Sequence, residues 1–419
     1  MLRLHLSPRQ DLDRGLEAAA RGLFKIVEDG VSEGLRIIAY PSVDSLIAAS
    51  VLFTVASGLG AHPVLTVAPK PGRVYEPTVI LGGPEGGFKL DQAGQSLFAM
   101  WSGEGRGAPP PGSIVVDLEG SVSAGLGLIL REAKTVGARL EPLLFLLAGV
   151  YNSRFTDSIG RMHGLDKVYA ESLLDSAGGA LLSATTVNVY KPHVYGLCEA
   201  IDATVFPLYH GLTGRQCTAL AETAGIDPST RPADLDEDGV EKLARSLAEA
   251  LQTRYQHVRP VDVVSWSILA APGQSRILDP RVAGHAFILA VESTGVENGL
   301  ALALDADNEY PMAEAFLERY RGIIEEVLGE TPIKVKLHSW LRGYRISLPE
   351  PASPTLAWRI LSWLRIIDSE SLILYEVDGR LAASALQAEE ALGAGGVKKL
   401  IDTKVAEAEG TVLWIRQSA

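Results

Sequence analysis

Three carboxylates stand where apolar, strand-like runs end: Asp44 after Leu35 to Tyr40, and Asp117 and Glu119 at the close of Ser113 to Asp117. Acids at such tips are hard oxygen ligands, and two or three of them can retain one weakly held divalent cation. Asp44 is the single acid in its strand–turn–helix stretch, Leu35 to Phe53 (LRIIAYPSVDSLIAASVLF). The turn also needs a cap, and Asp44 is expected to cap the helix at Leu46.

Other motifs carry less. Gly82 to Lys89 (GGPEGGFK) has two glycines at phosphate-loop separation, but Phe88 stands where the phosphate-reaching Lys belongs. It reads as a plain turn. Asp234 to Gly239 (DLDEDG) copies half a calcium loop, yet Arg245 takes the place of the closing Glu. Those acids more simply favour the positive end of a helix. His163, His193 and His210 are scattered, with no HExxH and no GxSxG elbow. The strand-like cluster Lys334 to Arg345 (KVKLHSWLRGYR) offers Lys334, Lys336, Arg342 and Arg345, interleaved with Trp340 and Tyr344, as candidates for single-stranded nucleic acid. An ordinary charged strand face is the plainer reading.

Around these residues, short apolar runs alternate with helical patterns. Residues 9–28 space Leu12, Leu16, Ala19, Leu23 and Ile26 as an amphipathic helix, with Gly30 as its stop. Pro63 to Ala68, Thr78 to Leu81, Ser113 to Asp117 and Leu143 to Gly149 read as further strands after Leu35 to Tyr40. A parallel sheet covered on both faces is expected. Its ligand site would lie beyond the strands' carboxyl ends, at Ser42 to Ser45, Gly82 to Gly87, Asp117 to Gly120 and Val150 to Ser153. Residues 101–112, rich in Gly and Pro, read as a loop. Residues 157–182 and 214–257 read as helical, and 184–195 as mixed. Val261 to Leu269, Ala286 to Val291 and Leu300 to Leu304 read as strands, and Ala313 to Leu328 as a long helix. The tail from Ile333 mixes strands with two helices.

At 419 residues, 47% hydrophobic and 21% charged, the chain is long enough for two or three ordered domains. Its net charge of −13 confines any nucleic-acid contact to a local patch. Cys198 and Cys217 cannot build a disulfide framework and are expected as buried small hydrophobes. With no signal-peptide pattern, and with Leu140 to Tyr151 too short to span a bilayer, the chain is expected to be soluble and cytoplasmic, with no membrane partner.

Together the tips resemble the DHH phosphoesterase superfamily, within it the archaeal RecJ-like proteins. The family's first tip, His-x-Asp-x-Asp-Gly, falls on Tyr40, Ser42, Asp44 and Ser45, and its second-tip Asp on Leu81-Gly82-Gly83. Its Asp-His-His falls on Asp117, Leu118 and Glu119, and its Gly-Asp near Asn152 and Ser153. Met162 to Leu165 looks like its Leu-x-Gly-Leu-Asn segment, Phe206 to Gly225 like its Pro-Gly-Leu-x-Gly helix entry, and Tyr320-Arg321 like its Tyr-Arg pair. Asp378 to Leu386 and Gly393 to Val397 look like the Ser-x-Arg strand and Gly-Gly-Gly-His loop of the DHH-associated domain, with Leu386 for Arg and Val397 for His.

The resemblance implies an α/β protein: a DHH-type parallel-sheet domain over 1–205, a mainly helical middle region over 206–330, and a small α/β DHH-associated domain over 331–419. The family's hydrolysis uses two Mn²⁺ or Mg²⁺ ions. Of their ligands Asp44 and Asp117 remain, with Glu119 as a substitute, so these three read as vestigial and no cofactor is expected. The implied function is an inactive scaffold, similar to the eukaryotic replication factor named for cell division cycle forty-five. The GINS complex and the MCM helicase, in a CMG-like assembly, are the implied partners, with single-stranded DNA as a further one. The alternative is a divergent single-strand exonuclease or nucleotide phosphodiesterase working with Mn or Mg.

Overall fold

Strand formation begins earlier than the sequence pattern suggests. Leu2–Leu6 (β1) pairs in parallel with Ser113–Leu118, which places it beside the strand bearing Asp117. The computed structural model describes residues 2–8, 11–71, 77–84, 87–88, 96–104, 111–134, 140–157, 160–271, 279–304, 306–349 and 352–416. After β1 come α1 (Leu12–Glu33), β2 (Leu35–Ala39), α2 (Val43–Gly58), β3 (Pro63–Val67), β4 (Thr78–Leu81), β5 (Leu97–Ser102), β6 (Ser113–Leu118) and α3 (Val122–Glu132). The six strands form one parallel sheet in the order β1-β6-β5-β4-β2-β3. β5 takes in Trp101 and Ser102, the first two residues of the stretch expected to be a loop; residues 105–110 lie outside the described residues.

One face of this sheet carries α1, α2 and α3 on Ile37, Ala39, Val79, Met100, Val116 and Leu118. The other is a thinner layer in which Phe88 packs between Tyr40 and Trp101, with ring centroids 6.1 and 6.4 Å apart. Both faces are covered as expected, but among the described residues helices cover only one. Gly30 does not stop α1, which runs on to Glu33. It is glycine because a Cβ there would come within 2.7 Å of the Leu35 Cβ, where the helix returns against β2.

Leu143–Gly149, expected as a fifth strand, is helical: it lies in α4 (Glu141–Tyr151), buried at every residue from Leu143 to Val150. A helix wrapped on all sides is apolar on all sides, so its sequence loses the 3.6 period that would reveal it. The same physics corrects two more expected strands. Ala286–Val291 belongs to α9 (Pro280–Thr294), and Leu300–Leu304 closes α10 (Val296–Leu304). α9 sits among α4, α10 and the long α11 (Ala306–Gly329), so it too shows no polar stripe.

Between α4 and α9 lie α5 (Gly164–Ser176), β7 (Leu181–Val187), α6 (Leu197–Ala203), α7 (Arg215–Thr223), α8 (Glu237–Gln252) and β8 (Val264–Ala270). The expected helix over 157–182 shrinks to α5, and part of the mixed stretch forms an antiparallel ribbon, β7 with β8. Asp236 caps α8 by accepting from the Gly239 N–H at 2.8 Å, the helix-cap reading of the DLDEDG segment. Cys198 on α6 and Cys217 on α7 are joined as a disulfide, not free small hydrophobes. Their pairing depends on α6 and α7 packing together, which their spacing does not disclose.

The last region contains β9 (Ile333–His338), β10 (Leu341–Arg345), α12 (Pro354–Trp363), β11 (Leu372–Val377), β12 (Arg380–Ser384), α13 (Ala385–Leu392), α14 (Gly396–Asp402), β13 (Ala406–Glu409) and β14 (Val412–Ile415). It holds three helices where two were expected, and one mixed sheet in the order β13-β14-β12-β11-β10-β9. Glu292 on α9 ties this region to the rest. Its buried carboxylate accepts from the hydroxyls of Ser353, Thr355 and Ser384 and from the Thr355 N–H at 3.0 Å. Ser353 and Ser384 are the N-caps of α12 and α13, so one side chain joins the starts of both helices.

Candidate functional site

A cavity of about 470 Å³ opens at the carboxyl ends of β2, β4 and β5. Asp44, Gly82 and Ser102 line it from the sheet, Asn152 to Arg154 from the end of α4, Arg281 and His285 from α9, and Glu389 and Glu390 from α13. The fourth expected tip, Val150 to Ser153, is therefore the end of a helix rather than of a strand, yet it reaches the cleft. Gly82 is required here: its φ is +81°, and a Cβ would meet the Ser45 side chain at the start of α2. The Gly82–Lys89 segment is a turn over its described residues, with the Gly87 N–H donating to the Pro84 carbonyl at 2.8 Å. Lys89 lies outside them.

Asp44 does not cap its own helix. Ser42 takes that place, accepting from the Ser45 N–H. Asp44 reaches across to α3, where its carboxylate accepts from the Val122 N–H at 2.8 Å and the Ser123 N–H at 2.9 Å. The Ser123 hydroxyl returns a bond to the Asp44 carbonyl at 3.0 Å. The first backbone N–H groups of a helix have no partner within it, and a carboxylate there also meets the positive end of the helix dipole. Burial pushes the Asp44 carboxyl up, and the bonds from Ser123 and Val122 oppose that shift.

Asp117, 4% exposed, accepts from Arg3 Nε at 2.8 Å and from Trp101 Nε1 at 2.8 Å. Arg3 comes from β1 and Trp101 from β5, the two neighbours of the strand that carries Asp117. Glu119 accepts from the Ser7 hydroxyl. Asp44, Asp117 and Glu119 thus each hold a piece of the protein, and they do not converge.

The sequence reading missed Asp166. In the first turn of α5, it is fully buried and accepts from the Ser121 N–H at 2.6 Å and the Ser153 hydroxyl at 2.7 Å. Burial, with a smaller push from the charge of Asp44, raises its carboxyl to about 7. Asp44 and Asp166 therefore both act on the N-terminus of α3. The only signal in the sequence was an acid following Gly164-Leu165, which any helix start would favour.

Glu389 was also missed. The Tyr40 hydroxyl donates to its Oε2 at 3.0 Å, while the N–H groups of Gly395 and Val397 donate to the same carboxylate. The amides of the Gly393 to Val397 loop are therefore already engaged, by a carboxyl group from α13. Burial pushes the Glu389 carboxyl up to about 7, and the amides oppose the shift. Beside it Glu390 pairs with Arg359 at 2.6 Å.

The four candidate nucleic-acid cations split. Alternation along β9 and β10 puts Lys334, Lys336 and Arg342 on one face and Arg345, opposite Ile333, on the other. Lys334 pairs with Asp368 at 3.2 Å, and Arg345 pairs with Glu376 at 2.5 Å. Lys336 and Arg342 are exposed and make no ion pair among the described residues.

A pair of Mn²⁺ or Mg²⁺ ions does not fit this site. Among the described residues no three His, Cys, Asp or Glu side chains are grouped to hold a metal. The first tip presents Tyr40 and Ser42, and Asp117 is engaged by a guanidinium and an indole.

A parallel sheet, a helical middle and a mixed C-terminal sheet meet around this cleft. CDC45 from Entamoeba histolytica shares the fold, with a TM-score of 0.58 at 10% identity over 99% of this chain and 96% of that one. Two RecJ structures match less closely, each at a TM-score of 0.39. An exonuclease RecJ bound to manganese is 13% identical over 96% of this chain and 90% of that one. RecJ from Thermus thermophilus with Mn²⁺ is 11% identical over 97% of this chain and 52% of that one. No protein-family model and no curated protein matches the sequence. Among the described residues no helix is long and apolar enough to cross a membrane.

Proposed function

We propose that the chain is a catalytically inactive RecJ-like scaffold of a replicative helicase assembly. One observation carries this reading: the carboxylates left at the strand tips, Asp44 and Asp117, are engaged as a helix cap and as the partner of Arg3 and Trp101. Glu389 further occupies the amides of the Gly-rich loop. A scaffold needs the two halves held at a fixed angle, and the Tyr40–Glu389 and Glu292 contacts serve that need. A GINS complex and an MCM helicase are the partners this reading implies, and single-stranded DNA would have to use the β9–β10 face of Lys334, Lys336 and Arg342, of which Lys334 is already ion-paired.

The test has two arms. The full chain with Mn²⁺ or Mg²⁺ is incubated with end-labelled single-stranded DNA and with dinucleotides, and no nucleotide release is expected. Release abolished by Asp44→Ala would instead establish the exonuclease or phosphodiesterase reading. In the second arm, purified GINS and MCM proteins from the same source are mixed with the chain. Co-elution is expected, and its absence removes the partner half of the proposal.

A further inference from the structure

The C-terminal sheet ends in the edge strand β9. β9 is last in the order β13-β14-β12-β11-β10-β9, so the backbone groups along its outer edge have no strand partner among the described residues. Edge strands of this kind either are blunted against pairing or take a guest strand.

Two observations favour a guest, and an acidic one. Lys336 stands directly opposite Arg342 in the β9–β10 register. Like charges in that position repel, and neither side chain has an ion-pair partner among the described residues. The nearby Asp368 is bonded to Lys334 and to the Tyr344 hydroxyl, and it also feels the Arg342 charge from beyond ion-pair distance, which leaves Lys336 as the less compensated of the two. A carboxylate from a strand added outside β9 would come beside Lys336, on the face that Arg342 shares, and would offset the repulsion. On the opposite face of the same strand, Ile333 is 63% exposed, an apolar side chain that an added strand would cover.

The aromatic residues argue against a nucleic-acid strand as the occupant. Single strands are held by base stacking on open rings. Here the Lys399 ammonium lies over Trp340 at 3.9 Å from the ring centroid, and the Lys334 ammonium lies over Tyr344 at 5.4 Å. Cations already cover those rings. A peptide strand needs no open ring, because it uses the backbone donors and acceptors of the edge.

The far edge of the sheet is different. β13 reads Ala-Glu-Ala-Glu, with Glu407 bonded to Arg416 and Glu409 to Trp414. Its charges are matched internally, whereas Lys336 of β9 has no ion-pair partner among the described residues.

We propose that β9 docks an extended acidic segment of a partner protein as a seventh strand, with acidic side chains toward Lys336 and Arg342 and apolar ones toward Ile333 and Val335. This surface lies on the sheet edge and does not depend on whether the cleft is catalytic.

The test uses the full chain and three labelled probes: a capped six-residue peptide alternating Glu with Val, the same peptide with Lys for Glu, and hexathymidylate. Fluorescence anisotropy reads binding, and hydrogen exchange reads protection of residues 333–338. The Glu–Val peptide is expected to bind and to slow exchange across β9 at least about tenfold. Its affinity should fall by a similar factor in Lys336→Glu/Arg342→Glu, and partly in Lys336→Gln/Arg342→Gln. Four results overturn the proposal: no peptide binding up to millimolar concentration, binding without protection of β9, equal affinity for the Lys peptide or the Glu double variant, or protection by hexathymidylate alone, which would make the edge a nucleic-acid surface. The exchange measurement on the unmodified chain stands even if a variant fails to fold.

Discussion

The Tyr40 hydroxyl donates to the Glu389 carboxyl group at 3.0 Å, joining the end of β2 to α13 across a separation of 349 residues. Both groups are buried, and both ionise less readily for it: burial and the facing carboxylate raise the tyrosine hydroxyl, and burial raises the glutamate. The Glu389 carboxyl therefore holds its proton to a higher pH than an ordinary glutamate does.

That proton gives the junction a pH dependence of definite sign. The Glu389 carboxyl rises from an ordinary 4.5 to about 7 in the fold, so its stabilising contribution is complete below 4.5 and is lost as pH rises through 7. The unmodified chain should lose stability relative to Glu389→Gln between pH 5 and pH 8, by no more than about 3 kcal/mol. Urea unfolding of both proteins at several pH values measures it. A difference that stays constant with pH would show that the carboxyl titrates normally.

Asp44→Ala removes the acceptor of two helix-start N–H groups and should destabilise the protein by roughly 1–3 kcal/mol, with Asp44→Asn costing less. A residue kept only as a metal ligand would behave oppositely, since its removal relieves a buried charge. Chemical denaturation without added metal separates the two.

Arg3→Ala leaves Asp117 with the Trp101 indole but without the guanidinium that bonds it. Because Arg3 is part-exposed, the expected cost is roughly 1–3 kcal/mol, below that for a fully buried pair. The environment of Trp101 should change with it, so the near-ultraviolet circular dichroism of the folded variant is the more direct readout.

Glu292→Ala deprives the Ser353, Thr355 and Ser384 hydroxyls and the Thr355 N–H of their shared acceptor. A loss of about 2–4 kcal/mol is expected, from unsatisfied buried donors and a small cavity. Faster hydrogen exchange should be concentrated in α12 and α13. Uniform acceleration across the chain would mean that Glu292 does not specifically hold these two helix starts.

The parallel sheet and the order of its tips were legible because β2, β4 and β6 are short apolar runs closed by Gly, Pro or acidic turns. α4 and α9 were not, since burial on every side removes the polar stripe by which a helix is recognised. In the site, the types of residue at the tips were readable and their partners were not. Asp44 looks like a local cap in sequence, and only the approach of α3 shows which helix it serves. Asp166 and Glu389 lie far along the chain from the residues they serve, and an isolated acid on a helix carries no mark of a distant partner. The two cysteines were misjudged for the same reason.

β1 has a consequence for how the molecule is made. Its five residues are synthesised well before β6, its neighbour in the sheet, and Arg3 meets Asp117 114 residues later in the chain. Until β6 is synthesised, the nascent chain carries β1, with its alternating leucines, without its partner strand. Such long-range parallel pairing forms slowly and exposes the chain to misassociation in the interval. The strand that screens Asp117 in the finished protein is thus the segment most in need of protection during its synthesis.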